Sequence, residues 1–193
     1  MALYHFSVRH VSRGKGQMVV ASAAYISGQR IYDGYYNKIH DYTSKSGVVF
    51  TEILTPEYVP ERMTDRETLW NEVEHVERNN KAQLAYSFDI ALQSELTLEE
   101  NIRLAKEFCQ EQFVVRGMIV DLAVHEGKSD NEEEPDNPHF HVLAPIRPFT
   151  EEGIWGNKQR REYILDEDGN RVKDAKGKDM FNAVSTTGWN DPE

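Results

Sequence analysis

The stretch QLAYSFDIAL, residues 83–92, alternates strictly between large apolar and small or polar side chains. Period two is the signature of a strand with one buried face, so Leu84, Tyr86, Phe88, Ile90 and Leu92 are set against a core. Ala85, Ser87, Asp89 and Ala91 form the opposite face, which is small apart from one acid. Four further runs read as strands: LYHFSVR (3–9), VVFTEIL (48–54), MIVDLAVH (118–125) and HFHVLAPI (139–146). Helical segments lie between them. QMVVASAAYISG is a helix of small residues closed by Gly28. Thr64 with Glu67, and Thr97 with Glu100, have the spacing of capping boxes, in which a hydroxyl and a carboxylate satisfy each other's exposed amides. The second of these helices ends at Gly117. The order β, α, β, α, β, α, β, β predicts an α+β fold with a central, largely antiparallel sheet and flanking helices, a two-layer sandwich.

The region from Tyr32 to Gly47 reads as a loop or short hairpin, SRGKG as a turn, and YILDEDGNRVKD as a hairpin around Asp-Gly. The closing WNDPE has the pattern of a helix start. Residues 1–193 are therefore expected to be one domain, the N-terminal part of a longer protein. There is no signal-peptide pattern and no apolar run near the ~20 residues of a membrane helix, so the expected location is cytoplasmic, without membrane insertion. The single cysteine, Cys109, excludes an internal disulfide and reads as a buried helical thiol.

Net charge is −11, which argues against a nucleic-acid partner until its distribution is considered. Residues 1–50 carry six basic groups and two acidic ones, a local charge of +4. A basic N-terminal segment on an acidic body is compatible with one DNA-binding face, and equally with a solvated surface of mixed charge.

His139 and His141 stand two apart on a strand, about 7 Å between Cα atoms, close enough for two imidazoles to share one metal ion. His125 ends the preceding strand and supplies a third ligand if the intervening loop returns the chain. Three histidines leave coordination positions open for substrate. Asp89 is placed to orient one of them. The acids Asp130, Glu132, Glu133, Glu134 and Asp136 read as a solvated loop. A histidine-bound metal serves hydrolases, nucleases and oxygenases alike, so another residue must choose among them. Tyr25 is the large side chain on the small-residue helix, and a phenol oxygen beside a cation can attack a phosphodiester; the plain alternative is a packing residue. Lys38, His40, Tyr42 and Lys45 around HDYTSK, with Arg13 and Lys15 in the glycine turn, have the basic and aromatic character that grips single-stranded DNA.

Taken together, ALYHFSV, ASAAYISG, HDYTSKSGVVFTEIL, FDIAL, EQFVVRGM, DLAVHEG, NPHFHVL and STTGWND resemble, in order, the MobA/MobL relaxases of mobilisable and conjugative elements. These belong to the HUH endonucleases, and His139, Phe140 and His141 match the motif that names them. The resemblance implies that Tyr25 nicks one strand at a transfer origin, keeping the 5′ phosphate and releasing a 3′ hydroxyl. It implies that His125, His139 and His141 hold one divalent ion, Mn²⁺ or Mg²⁺ in function with Zn²⁺ or Ni²⁺ as possible occupants, supported by Asp89. It also implies partners: a hairpin beside the origin, accessory relaxosome proteins and a type IV secretion coupling protein. The loop between His125 and His139 is longer and more acidic than the resemblance leads one to expect, and Gln93 stands where a proline is common. A rolling-circle replication initiator, a non-cleaving origin-binding repressor and a small metallohydrolase are the alternatives.

Overall fold

A computed structural model describes residues 5–127 and 136–190. Five strands form one sheet: β1 (Phe6–Ser12), β4 (Val48–Leu54), β5 (Gln83–Ala91), β6 (Val120–His125) and β7 (His139–Pro145). Their order across the sheet is β1-β5-β7-β6-β4, and every neighbouring pair is antiparallel. Two hairpins stand outside it, β2 (Arg30–Asp33) with β3 (Lys38–Asp41), and β8 (Gln159–Tyr163) with β9 (Phe181–Ser185). The expected Asp-Gly hairpin is nested inside the second, where Leu165 bridges to Arg171 and Gly169 adopts φ 82°.

Alternation along the strands decides which helix covers which face. Val120, Leu122 and Val124 of β6 pack with Phe140, Val142 and Ala144 of β7 against Ala105 and Cys109 of α3 (Leu98–Gln112). Ile119, Ala123 and Leu143 point the other way, into a core with Val19, Val20, Ala23 and Ala24 of α1 (Val19–Ser27) and Leu69, Trp70 and Val73 of α2 (Arg66–Val76). The antiparallel sheet with flanking helices is thus as the sequence predicts, but α1 and α2 cover one face and α3 the other, which makes three layers in place of the two expected. No helix among the described residues is long and apolar enough to cross a membrane.

The Thr97–Glu100 capping box forms. The one expected at Thr64 does not. Pro60 leads into a 3-10 turn over Glu61–Thr64, which uses the Thr64 hydroxyl on the Glu61 carbonyl at 2.8 Å. Asp65, whose carboxylate is the stronger acceptor, caps α2 by accepting from Thr68 N at 2.8 Å. Glu67 is left to accept from Tyr32 N instead, at 2.9 Å, which ties the β2–β3 hairpin to α2. The helix expected to run to Gly117 ends at Gln112, and a 3-10 turn over Val114–Arg116 completes the path to Gly117, at φ 93°. The helix expected from WNDPE, and the acidic residues 130–134, lie wholly or partly outside the described residues; Gly188–Asn190 form a 3-10 turn.

Helix α1 begins without a cap of its own: Met18 makes no side-chain cap bond and the first turn holds no acid. Glu74 of α2 supplies the missing acceptor, taking the Val19 N–H at 3.0 Å. Glu74 is fully buried, and its other oxygen lies 2.5 Å from Arg13 Nη2. A second buried pair fixes α2 to the sheet. Asp121 of β6 accepts from Arg66 Nε and Nη2 and from Trp70 Nε1, all within 3.0 Å. Burial raises the Asp121 carboxyl pKa against the opposing pull of Arg66 and Trp70.

Candidate metal centre and tyrosine cleft

The register of β6 and β7 sets His125 opposite His139 and Ala123 opposite His141, so all three imidazoles emerge on the face that α1 covers. Their ring centroids are 4.7–5.1 Å apart, and one nitrogen from each lies within 4.8 Å of the others. The chain returns because Asn137 N donates to Gly127 O at 2.9 Å, with Gly127 at φ 59°. A Cβ on Gly127 would lie 1.9 Å from the Asn137 carbonyl oxygen, so only glycine permits this closure.

Carbonyl oxygens only accept, and that fixes two of the tautomers. His125 Nε2 donates to Ile26 O at 2.7 Å, leaving Nδ1 with its lone pair. His139 Nδ1 donates to Asn137 O at 2.8 Å, leaving Nε2. Donation of the second ring nitrogen to a carbonyl is how metal-binding histidines are oriented. Burial pushes the His125 pKa down to about 4, against the bond to Ile26, with Lys45 and His139 lowering it further. Burial likewise pushes His141 down to about 4, against the attraction of Asp89. Both rings are therefore neutral at pH 7, the ligand form a cation requires. Three nearly converged imidazoles, two of them with carbonyl-fixed tautomers, fit a divalent ion.

Asp89 is the cross-strand partner of His141 on β5, and one of its oxygens lies 3.9 Å from His5 Nε2. The strand alternation that put Asp89 on the small-residue face thus brings it beside the histidines.

Tyr25 sits on the last turn of α1 and is 50% exposed. The final carbonyls of a helix lack intrahelical donors, and here they recruit the site. Ala24 O accepts from Gly28 N, with Gly28 in the left-handed conformation at φ 63°. Tyr25 O accepts from Lys45 Nζ at 3.0 Å, and Ile26 O from His125. The residue after the tyrosine is thereby bonded to a metal-ligand candidate. Tyr25, Asp89 and His141 line one cleft of about 440 Å³, with Ser7, Arg9 and Ser87 from the strands.

The six basic and aromatic residues expected at DNA divide into three groups. Lys15 and Lys38 are exposed. Arg13 and His40 are not, and the expectation for them is corrected. Besides Glu74, Arg13 donates to the carbonyls of Glu74, Glu77 and Asn79, and its side chain is 7% exposed. His40 is buried with Nε2 3.3 Å from Asp33 Oδ2, and Asp33 is itself fully buried. In each case a buried acid takes up the basic group: Glu74, far along the chain, for Arg13, and Asp33, an inward-turned residue of the same hairpin, for His40. Tyr42 and Lys45 turn toward Tyr25, the first as an edge-on ring at 5.3 Å and the second with its ammonium 3.8 Å above the ring centroid.

The chain is similar to several known proteins. The MobA/MobL family pattern matches residues 17–193. The conjugal transfer protein TraA of Agrobacterium fabrum is 36% identical over 98% of this chain, which spans 18% of that protein. The probable mobilization protein MobA of Bifidobacterium longum is 34% identical over 89% of the chain and 30% of its own length. A structure solved for the molecular basis of vancomycin resistance transfer in Staphylococcus aureus superposes with a TM-score of 0.74 at 37% identity, covering 82% of this chain and 78% of that one.

Proposed function

Because this chain belongs to the MobA/MobL family, we propose that it is the DNA-nicking domain of a conjugative mobilisation relaxase, with Tyr25 as nucleophile. The observation that carries the reading is the shared cleft, lined by Tyr25, Asp89 and His141, the last being one of three convergent histidines. The domain is the N-terminal part of a longer protein, which acts in the cytoplasm on single-stranded DNA at a transfer origin with an adjacent hairpin. Accessory relaxosome proteins and a type IV secretion coupling protein are the expected further partners.

His125, His139 and His141 would hold one divalent ion. When bound, such an ion withdraws charge from the nonbridging oxygens of the scissile phosphate. Manganese and magnesium are the proposed functional ions, whereas an all-imidazole donor set also suits zinc or nickel. Asp89 supports His141 from the neighbouring strand. The Tyr25 oxygen attacks phosphorus in line, forming a tyrosyl phosphoester as the bond to the 3′ oxygen breaks. The phenol gives up its proton and the departing oxygen takes one up, leaving a 3′ hydroxyl. A phosphodiester has been exchanged for a phosphodiester, so a 3′ hydroxyl can reverse the step and rejoin the ends. Lys15 and Lys38 are the proposed phosphate contacts, because their ammonium groups lie on exposed residues.

The test is incubation with a labelled single-stranded origin oligonucleotide and Mn²⁺. The proposal predicts a cut oligonucleotide and a protein-linked product, both abolished by chelator and restored by added Mn²⁺. Cutting that survives chelation, or turnover without any protein-linked DNA, would contradict it.

A further inference from the structure

We infer that Lys45 is a positioning residue for Tyr25, clamping the nucleophile's ring and main chain, and is not a contact to DNA phosphate. The inference rests on the reading of Tyr25 as nucleophile. It begins from a deficiency of α1: the residues one turn before Tyr25 on its helix, Ala21 and Ser22, are small. Such neighbours offer a phenol little to pack against, and a half-exposed ring on a bare helix would sample several rotamers.

The turn after β3 supplies what the helix lacks. Asp41 Oδ1 accepts from Thr43 N at 3.1 Å and from Thr43 Oγ1 at 2.8 Å. Lys45 N then closes on Tyr42 O at 2.9 Å, and Tyr42 N is tied to Gln29 O, two residues past the end of α1. This compact turn delivers two side chains to one target. The Tyr42 ring meets Tyr25 edge-on, with an interplanar angle of 87°. The Lys45 ammonium sits over the Tyr25 ring and bonds the Tyr25 carbonyl.

A lysine held only for DNA phosphate has no need of an internal partner in the free protein. Lys45 instead has its charge partly withdrawn from solvent, and burial lowers its pKa. The ring quadrupole and the carbonyl are the groups that compensate that cost. With Lys45 on Tyr25 O and His125 on Ile26 O, successive carbonyls around the nucleophile are held by two separate segments. Orientation of this kind acts on the chemical step, not on substrate affinity.

The test compares wild type with Lys45→Met and Lys45→Arg, measuring oligonucleotide binding across a salt series and the single-turnover cleavage rate in the saturated complex. We expect Lys45→Met to lose about tenfold in rate, about 1.4 kcal/mol, with affinity and its salt slope unchanged. Lys45→Arg should recover most of the rate, since a guanidinium also lies on aromatic faces. Weaker binding with a salt slope reduced by about one, and an unchanged rate when bound, would make Lys45 a phosphate contact and overturn the proposal. A second readout needs no activity. Reductive ¹³C-methylation keeps the lysine charge. The Lys45 methyl NMR line should then lie upfield of the other lysines and lose that shift in Tyr25→Leu. A line at the ordinary position in wild type would overturn the clamp. If wild type forms no adduct at all, the nuclease reading fails and takes the positioning role with it; inactivity of the wild type itself distinguishes that failure from a failure of Lys45 alone.

Discussion

Substituting Glu74 should loosen the nucleophile's helix without touching the histidines. Glu74→Ala removes the acceptor of the Val19 N–H, the missing N-terminal cap of α1, and strips Arg13 of its counter-charge. Breaking one side of a buried ion pair costs about 3–5 kcal/mol. Arg13 keeps three carbonyl acceptors, so the low end of that range applies. Losing a helix cap adds about 1 kcal/mol, giving about 4 kcal/mol in all. For a chain of this size that is a fall in Tm of about 8–16 °C. Glu74→Gln keeps the volume and an acceptor for Val19, and should lose about half as much. The assay is urea unfolding followed by circular dichroism, with the m-value checked for constancy. Metal affinity, measured by calorimetry, should hold, because the histidines stand on β6 and β7, while adduct formation falls. A loss below about 1 kcal/mol for Glu74→Ala would refute the reasoning, given the cost expected of an orphaned buried charge.

Gly127→Ala forces a Cβ into the Asn137 carbonyl, and that carbonyl orients His139. It should therefore weaken metal affinity by about 10–100-fold, the usual cost of disturbing the groups behind a ligand, with far-UV circular dichroism retained; unchanged affinity would show that the closure does not set the site. Burial pushes the Cys109 thiol up to about 12. The folded protein should not react with a thiol reagent at pH 8 and should titrate one equivalent after denaturation. Because the folded pKa lies above the unfolded one, this thiol's contribution to stability is complete below about pH 9 and is lost as pH rises toward 12. Reaction in the native state at pH 8 would count against a buried thiol.

The histidine centre was legible because strand geometry leaves little freedom. Two positions apart on a strand share a face, and a return loop places the end of one antiparallel strand beside the start of the next. Asp89 followed from the same alternation. Tyr25 stood out as one large residue in a helix of small ones, which is a contrast in size and not a periodicity. What sequence did not reveal are pairings across long separations. Arg13 is neutralised by an acid 61 residues away, and Arg66 by one 55 residues away. His40 was hidden for a different reason, since Asp33 lies only seven residues off but turns inward from a polar hairpin. The local charge of +4 in residues 1–50 is likewise a poor measure of a DNA face, because Arg13 and Lys45 are taken up by internal partners. At residue 64 the competition was local: Asp65 beside Thr64 is the better cap and displaced the expected start by one position.

The identity of the nucleophile can be read directly. Trypsin releases residues 16–30, GQMVVASAAYISGQR, in which Tyr25 is the single tyrosine. After reaction with a single-stranded origin oligonucleotide and Mn²⁺, nuclease trimming and mass spectrometry should find the nucleotide mass on that peptide, absent from Tyr25→Phe. A nucleotide on any other peptide, or undiminished nicking by Tyr25→Phe, would contradict the assignment.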